Sequence, residues 1–343
     1  MERMRKIVIL ALVLIMGVSL FAGCGQKQTV APEDKATANQ TKDTGSTTEQ
    51  SGSSKDKKVV GVLIGDFSNQ FHTFVMEGMK EKAKEYPNIE FVYVDGEFDP
   101  AIQMRQVENF IAQKVDAIIF MPGDAEASIP AQDLINENGI PLINVNTRLG
   151  KPDEVDTFAG SDCIQSGEIL MQAMADLLGG KGKILELQGM YGHEPQIERH
   201  KGITNILAKY PDIEVLAEDS GEWSRDVGLQ KMENWLHSDL RDKFDAVVCH
   251  NDEMAIGAMK AIEDAGLLDK VIIGGIDATP EMLGYLREGK VEVTVFQDAK
   301  GQGAASIEAA AKTVNGEPIE KEYMIPYVLV KPDEIDKYLE LYQ

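Results

Sequence analysis

From Val59 onward, runs of five to seven mostly apolar residues alternate with stretches in which apolar side chains recur at helical spacing. The runs VVGVLI, EFVYVD, AIIFM, PLINVN, DTFAGS, GKILELQ, EVLAEDS, AVVCH, VIIGGID and EVTVFQ read as ten strands. Helices are predicted between most of them, among them 71–86, 101–113, 165–178, 197–209, 225–237 and 253–265. A strand that is apolar along its length has both faces covered, as in a parallel sheet packed between helices. The ten strands divide near residue 160, so the expectation is an α/β fold of two Rossmann-like lobes with parallel sheets.

The strand ends carry the functional signal. In open parallel sheets, ligands bind beyond the carboxyl ends of the strands. Here those ends lead into Asp66-Phe67-Ser68-Asn69, Asn146-Thr147-Arg148, Trp223, Asn251-Asp252, Asp277 and Gln297. Any one of these could serve a local turn or a helix cap, and Asp252 is expected to cap the helix that comes after it. Six such ends in two lobes, with an arginine and a tryptophan among them, point instead to a polar cleft with an aromatic wall. Asp, Asn, Gln and Arg suit the paired donors and acceptors of vicinal hydroxyls. Phe71 and Trp223 can cover the C–H faces of a ring. Arg148 and Arg199 favour an anion, but Asp277 offsets them, so a neutral polyhydroxylated ligand is expected.

The N-terminus reads differently. Arg3, Arg5 and Lys6 precede a 15-residue apolar run, Ile7 to Phe21. That is shorter than the ~18–20 residues a spanning helix needs, and it fits the core of a signal peptide. The run ends in LFAGC, which resembles the lipobox of bacterial lipoproteins; cleavage would come after residue 23 and lipid would be carried on Cys24. Residues 25–57 are polar, without aromatics, and are expected to form a disordered tether. The two remaining cysteines, Cys163 and Cys249, each end an apolar run and are expected to be buried thiols rather than a disulfide.

Other chemistries find little support. With 34 Lys and Arg against 57 Asp and Glu, the net charge of −23 disfavours nucleic acid as a partner. No nucleophile elbow, zinc-protease or P-loop pattern occurs, and the five histidines lack metal-ligand spacing. GQGAAS at 301–306 lacks the third glycine of a dinucleotide fingerprint, so its glycines are read as easing a strand into a helix. No enzyme, cofactor or metal site is expected. His72 and His250 lie at strand exits, within reach of a ligand.

The segments HNDEMAIGAMKAIEDAG, IIGGIDATPE, ILELQG with a later Glu-Arg, and AGSD resemble the ribose-type periplasmic sugar-binding proteins of ABC transporters over about residues 59–331. That resemblance implies a type 1 periplasmic binding protein, with two lobes joined by a three-crossing hinge near 161–163, 297–299 and 326–328. The N-terminal lobe would combine 59–161 with 298–326, and the C-terminal lobe 162–297 with 327–343. It implies a ligand site of Asn69, Phe71, His72, Asn146, Arg148, Arg199, Trp223, Asn251, Asp277 and Gln297, in a monomer that serves a permease outside the cytoplasmic membrane.

His72 stands where the family has a second Phe, Asn146 where ribose binders have Asp, and Arg148 one step later than their Arg. With VTVFQDAKGQG and YMIPYVLV, these departures look more like the inositol-binding branch, and myo-inositol is the expected ligand, ahead of ribose and allose. A sugar-responsive transcription factor shares the two-lobe core but begins with a basic helix-turn-helix. A glycosidase would need two carboxylates ~5–10 Å apart across a bond, and only Asp277 is well placed.

Overall fold

A computed structural model describes residues 57–342. The expected signal peptide, Cys24 and the segment up to residue 56 lie outside the described residues. The first five strands, β1 (Lys58–Ile64), β2 (Ile89–Asp95), β3 (Ala117–Phe120), β4 (Leu142–Asn146) and β5 (Thr157–Gly160), belong to one sheet. The next five, β6 (Lys181–Gln188), β7 (Asp212–Ser220), β8 (Ala246–Cys249), β9 (Ile272–Asp277) and β10 (Val293–Phe296), form a second. Two short strands complete the edges, β11 (Glu322–Met324) beside β5 and β12 (Val328–Leu329) beside β10. The orders are β11-β5-β4-β3-β1-β2 and β12-β10-β9-β8-β6-β7. Every pairing is parallel except β10 with β12.

Helices cover both faces of each sheet, which is why the strands are apolar throughout. In the first lobe, α1 (Gln70–Ala83) and α9 (Ala299–Val314) cover one face, burying Val75, Met79 and Ile307 on Val60, Val62 and Ile64. The other face takes α2 (Pro100–Gln113) and α3 (Ile129–Glu137), with Phe110 and Ile135 against Leu63, Ile118 and Phe120. In the second lobe, α4 (Cys163–Leu177) and α5 (Glu194–Leu207) pack Leu170, Met174 and Ile203 on Ile184, Val248 and Val295. On its opposite face lie α6 (Arg225–Leu236), α7 (Asp252–Asp264) and α8 (Pro280–Glu288), with the C-terminal α10 (Ile335–Glu340).

All ten predicted strands are present, with ends shifted by a residue or two. The sequence reading did not single out α3, α8 or the six-residue α10. α3 and α8 are each nine residues long with proline in the first turn, where proline is tolerated but reads as a break. β11 and β12 have three and two residues, too short to show a pattern. Cys163 and Cys249 are buried and unpaired. No described helix is long and apolar enough to cross a membrane.

The chain passes between sheets three times, from β5 into α4, from β10 into α9, and from β11 into β12. The glycines of GQGAAS do more than ease a turn. A Cβ on Gly303 would lie 2.1 Å from the Val75 carbonyl oxygen, so this glycine lets α9 touch α1 along the backbone.

Candidate functional site

The carboxyl ends of both sheets face one another around a small cavity, where open parallel sheets bind their ligands. From the first lobe come Asn69, Phe71 and His72 at the start of α1, Phe98 after β2 and Asn146 ending β4. From the second come His193, Pro195 and Arg199 around the start of α5, Trp223 after β7, Asn251 after β8 and Asp277 ending β9, with Gln297 on a crossing segment. Local backbone aims several of these. Asn146, Trp223 and Asp277 have φ of 62°, 60° and 135°, conformations that turn a side chain out of a strand line at some cost.

Nine of the ten residues named from sequence therefore lie together, and Arg148 does not. Its guanidinium stacks 3.9 Å over the Phe158 ring and pairs with Glu322 at 3.0 Å. After left-handed Asn146 the chain turns, which buries Thr147 and carries Arg148 to the outer edge of the lobe. Phe98, His193 and Pro195 were missed. None of them ends a predicted strand.

Two further expectations need correction. Asn251, not Asp252, caps α7, its Oδ1 accepting from Met254 N at 3.0 Å while its amide donates to the Trp223 carbonyl at 3.2 Å. The Asp252 carboxylate points inward and accepts from Thr279 N and Thr294 Oγ1, both at 2.8 Å. His250 does not line the cavity; it is fully buried, with Nε2 2.9 Å from Glu186 Oε1.

The cavity holds one cation and one acid, Arg199 and Asp277. Arg199, 4% exposed, donates to the His250 carbonyl, to Gln297 Oε1 at 2.7 Å and to Tyr327 OH at 3.3 Å. Burial pushes the Asp277 carboxyl well above the usual carboxylate range, and the Arg199 guanidinium pulls it back. Burial also lowers His72 to about 4, so its imidazole is neutral at neutral pH, with Nδ1 held against the Asp66 backbone at 3.0 Å. One cation, one acid and neutral amides and imidazoles suit hydroxyl groups better than a net charge.

The apolar wall is a line of rings. Centroids run from His72 to Phe98 at 5.3 Å, Phe98 to His193 at 5.7 Å and His193 to Trp223 at 5.6 Å, from one lobe to the other. Trp223 fits only because residue 189 is glycine: a Cβ there would stand 1.9 Å from the indole. Gly189→Ala is expected to displace the indole and weaken ligand binding about 30-fold, since aromatic contact and its burial are together worth ~2 kcal/mol. Titration calorimetry reads this, and an alanine variant with undiminished affinity would remove Trp223 from the wall.

Two groupings could approach a cation. In Glu186–His200–Glu218, the Gln188 amide already donates to Glu218 at 3.3 Å and lies 3.0 Å from His200 Nδ1. The other, Cys163–Glu194–Glu198, lies near the crossing from β5 into α4.

A model of the periplasmic binding protein domain matches residues 60–318. A protein of Rhizobium meliloti named for rhizopine binding is 38% identical over 282 residues, 80% of this chain and 90% of that protein. A xylitol-binding protein of Mycolicibacterium smegmatis is also 38% identical, over 83% of this chain and 80% of its own. A solved ABC transporter solute-binding protein from Bacillus halodurans C-125, with bound myo-inositol, is 44% identical with a TM-score of 0.80, covering 83% of this chain and 98% of that one. Two parallel-sheet lobes, a polar cavity between their carboxyl edges and these likenesses agree: the chain belongs to the periplasmic binding protein family, and it is a solute-binding protein rather than an enzyme.

Proposed function

We propose that this protein captures a neutral ring polyol, myo-inositol before any aldose, by closing its lobes on it. The ligand is then handed to the permease of an ABC importer. The observation that carries this reading is the cavity that sets one cation against one acid, in which Arg199, Asp277, Asn251 and Gln297 face a wall of rings that includes two histidines. A cyclitol carries hydroxyls around its whole rim, so it has polar groups to offer the histidine side as well as the Arg199–Asp277 side. The myo-inositol bound by the Bacillus halodurans relative supports the same choice. LFAGC supports anchoring through lipid on Cys24 at the outer face of the cytoplasmic membrane, which would keep a captured solute beside its permease.

The test is calorimetric titration of residues 58–343, freed of ligand by unfolding and refolding, against myo-inositol, ribose, allose, galactose and glucose. Saturation by myo-inositol alone is expected; saturation by an aldose alone would discard the cyclitol reading and keep the solute-binding one. His72→Phe is the informative variant. A phenyl ring leaves the hydroxyl facing His72 unpaired, an expected loss of about tenfold for myo-inositol, with preference moving toward aldopyranoses. Unchanged preference would show that His72 is no selector.

A further inference from the structure

Three consecutive residues of the second lobe, Gly192, His193 and Glu194, meet the first lobe across the cleft. His193 Nε2 lies 3.1 Å from Thr147 Oγ1. The next residue takes a long hydrogen bond, Arg148 N–H to Glu194 Oε2 at 3.5 Å. Gly192 has φ of +87°, a conformation glycine adopts without strain, and a Cβ on it would stand 3.0 Å from Asp124 Oδ2 of the first lobe. Behind Thr147 the contact continues inward. Its hydroxyl lies 3.2 Å from Asn146 Oδ1, the Asn146 amide donates to Gln302 Oε1 at 2.8 Å, and Gln302 donates to Ser161 Oγ at 2.8 Å. One buried chain of hydrogen bonds thus joins His193 to a cavity residue, Asn146, and to the crossing segment at Ser161.

Resting on the solute-capture reading above, we propose that Gly192–His193–Glu194 is a closure clasp, in which His193 couples the wall of the ligand cavity to the joining of the lobes. The ring does both from one position. It sits edge-on between Phe98 of the first lobe and Trp223 of its own, and it is hydrogen-bonded to Thr147 of the first lobe. A ligand that holds the lobes together keeps the Thr147 bond made. A made Thr147 bond in turn fixes the ring against the ligand.

The clasp carries its own proton linkage. Phe98, Thr147 and the Pro122 carbonyl face the ring from the first lobe, with His72 across the cavity; Trp223 and Arg199 face it from the second, and Asp124 lies beside Gly192. Burial, with His72 and Arg199 adding repulsion, holds the His193 imidazole down at about 3 in the closed protein. Parting the lobes wets it and returns it toward ~6.5. The open form therefore takes up a proton that the closed form refuses, and falling pH favours opening by up to about tenfold per unit below 6.5. His72 acts with the same sign, whereas Asp277 and Glu194, both raised by burial in the closed form, act with the opposite one. All three remain in a His193 variant, so a ratio of affinities isolates His193.

The experiment compares the wild type, Thr147→Val and His193→Phe by titration with myo-inositol at pH 7 and pH 5. Small-angle scattering is recorded with and without the ligand. Thr147→Val, which keeps the shape and loses the bond, is expected to bind about fivefold more weakly at pH 7 and to scatter as a more open molecule. His193→Phe keeps the ring stack, and the wild-type to variant affinity ratio should fall about 20-fold from pH 7 to pH 5. Wild-type affinity in Thr147→Val together with a ratio constant in pH would overturn the clasp. A flat wild-type titration would count against the myo-inositol reading instead. The ligand-free scattering then decides the clasp: a more open Thr147→Val supports it, and equal compactness overturns it.

Discussion

Replacing Asp277 with alanine is expected to weaken binding of the proposed polyol ligand about 1,000-fold, equivalent to ~4 kcal/mol, with a shift of only a few degrees in the melting temperature of the ligand-free protein. The two halves of that result have one cause. Asp277 is 4% exposed, and burial raises its carboxyl well above the usual range, so the empty site holds an acid in a place that disfavours its charge. Ligand hydroxyls donating to it remove the disadvantage. Each hydrogen bond to a charged acceptor is worth ~1.5–3 kcal/mol, and vicinal hydroxyls supply two. Losing the carboxylate also leaves Arg199 without a counter-charge. That residue keeps three acceptors, the His250 carbonyl, Gln297 and Tyr327, so the fold absorbs the change. Calorimetry and a thermal scan of the same sample read both halves. Retention of affinity within tenfold would remove Asp277 from the site.

How far the sequence carries this site depends on what holds each residue in place. Strand ends are set by a local pattern: an apolar run stops and a polar residue comes next, so Asn146, Asn251, Asp277 and Gln297 could be read directly. Arg148 shows the limit of that rule. It lies two residues past a strand end, and the left-handed backbone at Asn146, φ 62°, redirects the chain beyond it. Nothing in NVNTR announces that turn. His193 and Phe98 are the converse case, since they are brought to the cavity by the approach of one lobe to the other. The contact that places His193, 3.1 Å to Thr147, joins residues 46 positions apart on opposite lobes. The α/β class was legible because both faces of every central strand are covered. The edge strands were not, since their pairing is decided by neighbours distant in the chain.

Asp252 shows a different limit, and its replacement by alanine is expected to cost ~3–4 kcal/mol of stability, the sum of two buried donors left without an acceptor. It sits three residues past the end of β8 and opens a helix, close to where a carboxylate usually caps. Asn251 takes the cap, and Asp252 is turned inward at 0% exposure to join three elements. From the first turn of α7 it accepts the Thr279 N–H at the start of α8 and the Thr294 hydroxyl on β10. Alanine leaves both donors unsatisfied, at ~1–3 kcal/mol each, which lowers the melting temperature by about 10 °C in a protein of this size. Asn keeps one acceptor and should lose less. The pH dependence separates this from simple packing. Burial raises the Asp252 carboxyl from its ordinary value of 3.8 to about 7 in the fold. A group whose folded value is raised contributes stability that is full below about 4 and lost as pH rises through about 7. Asn does not titrate, so the wild type's advantage over Asp252→Asn should be larger at pH 5 than at pH 8, measured as the difference in melting temperature. A gap that stays constant or widens toward pH 8 would show that the buried carboxyl is already ionised throughout, held charged by Thr279 and Thr294.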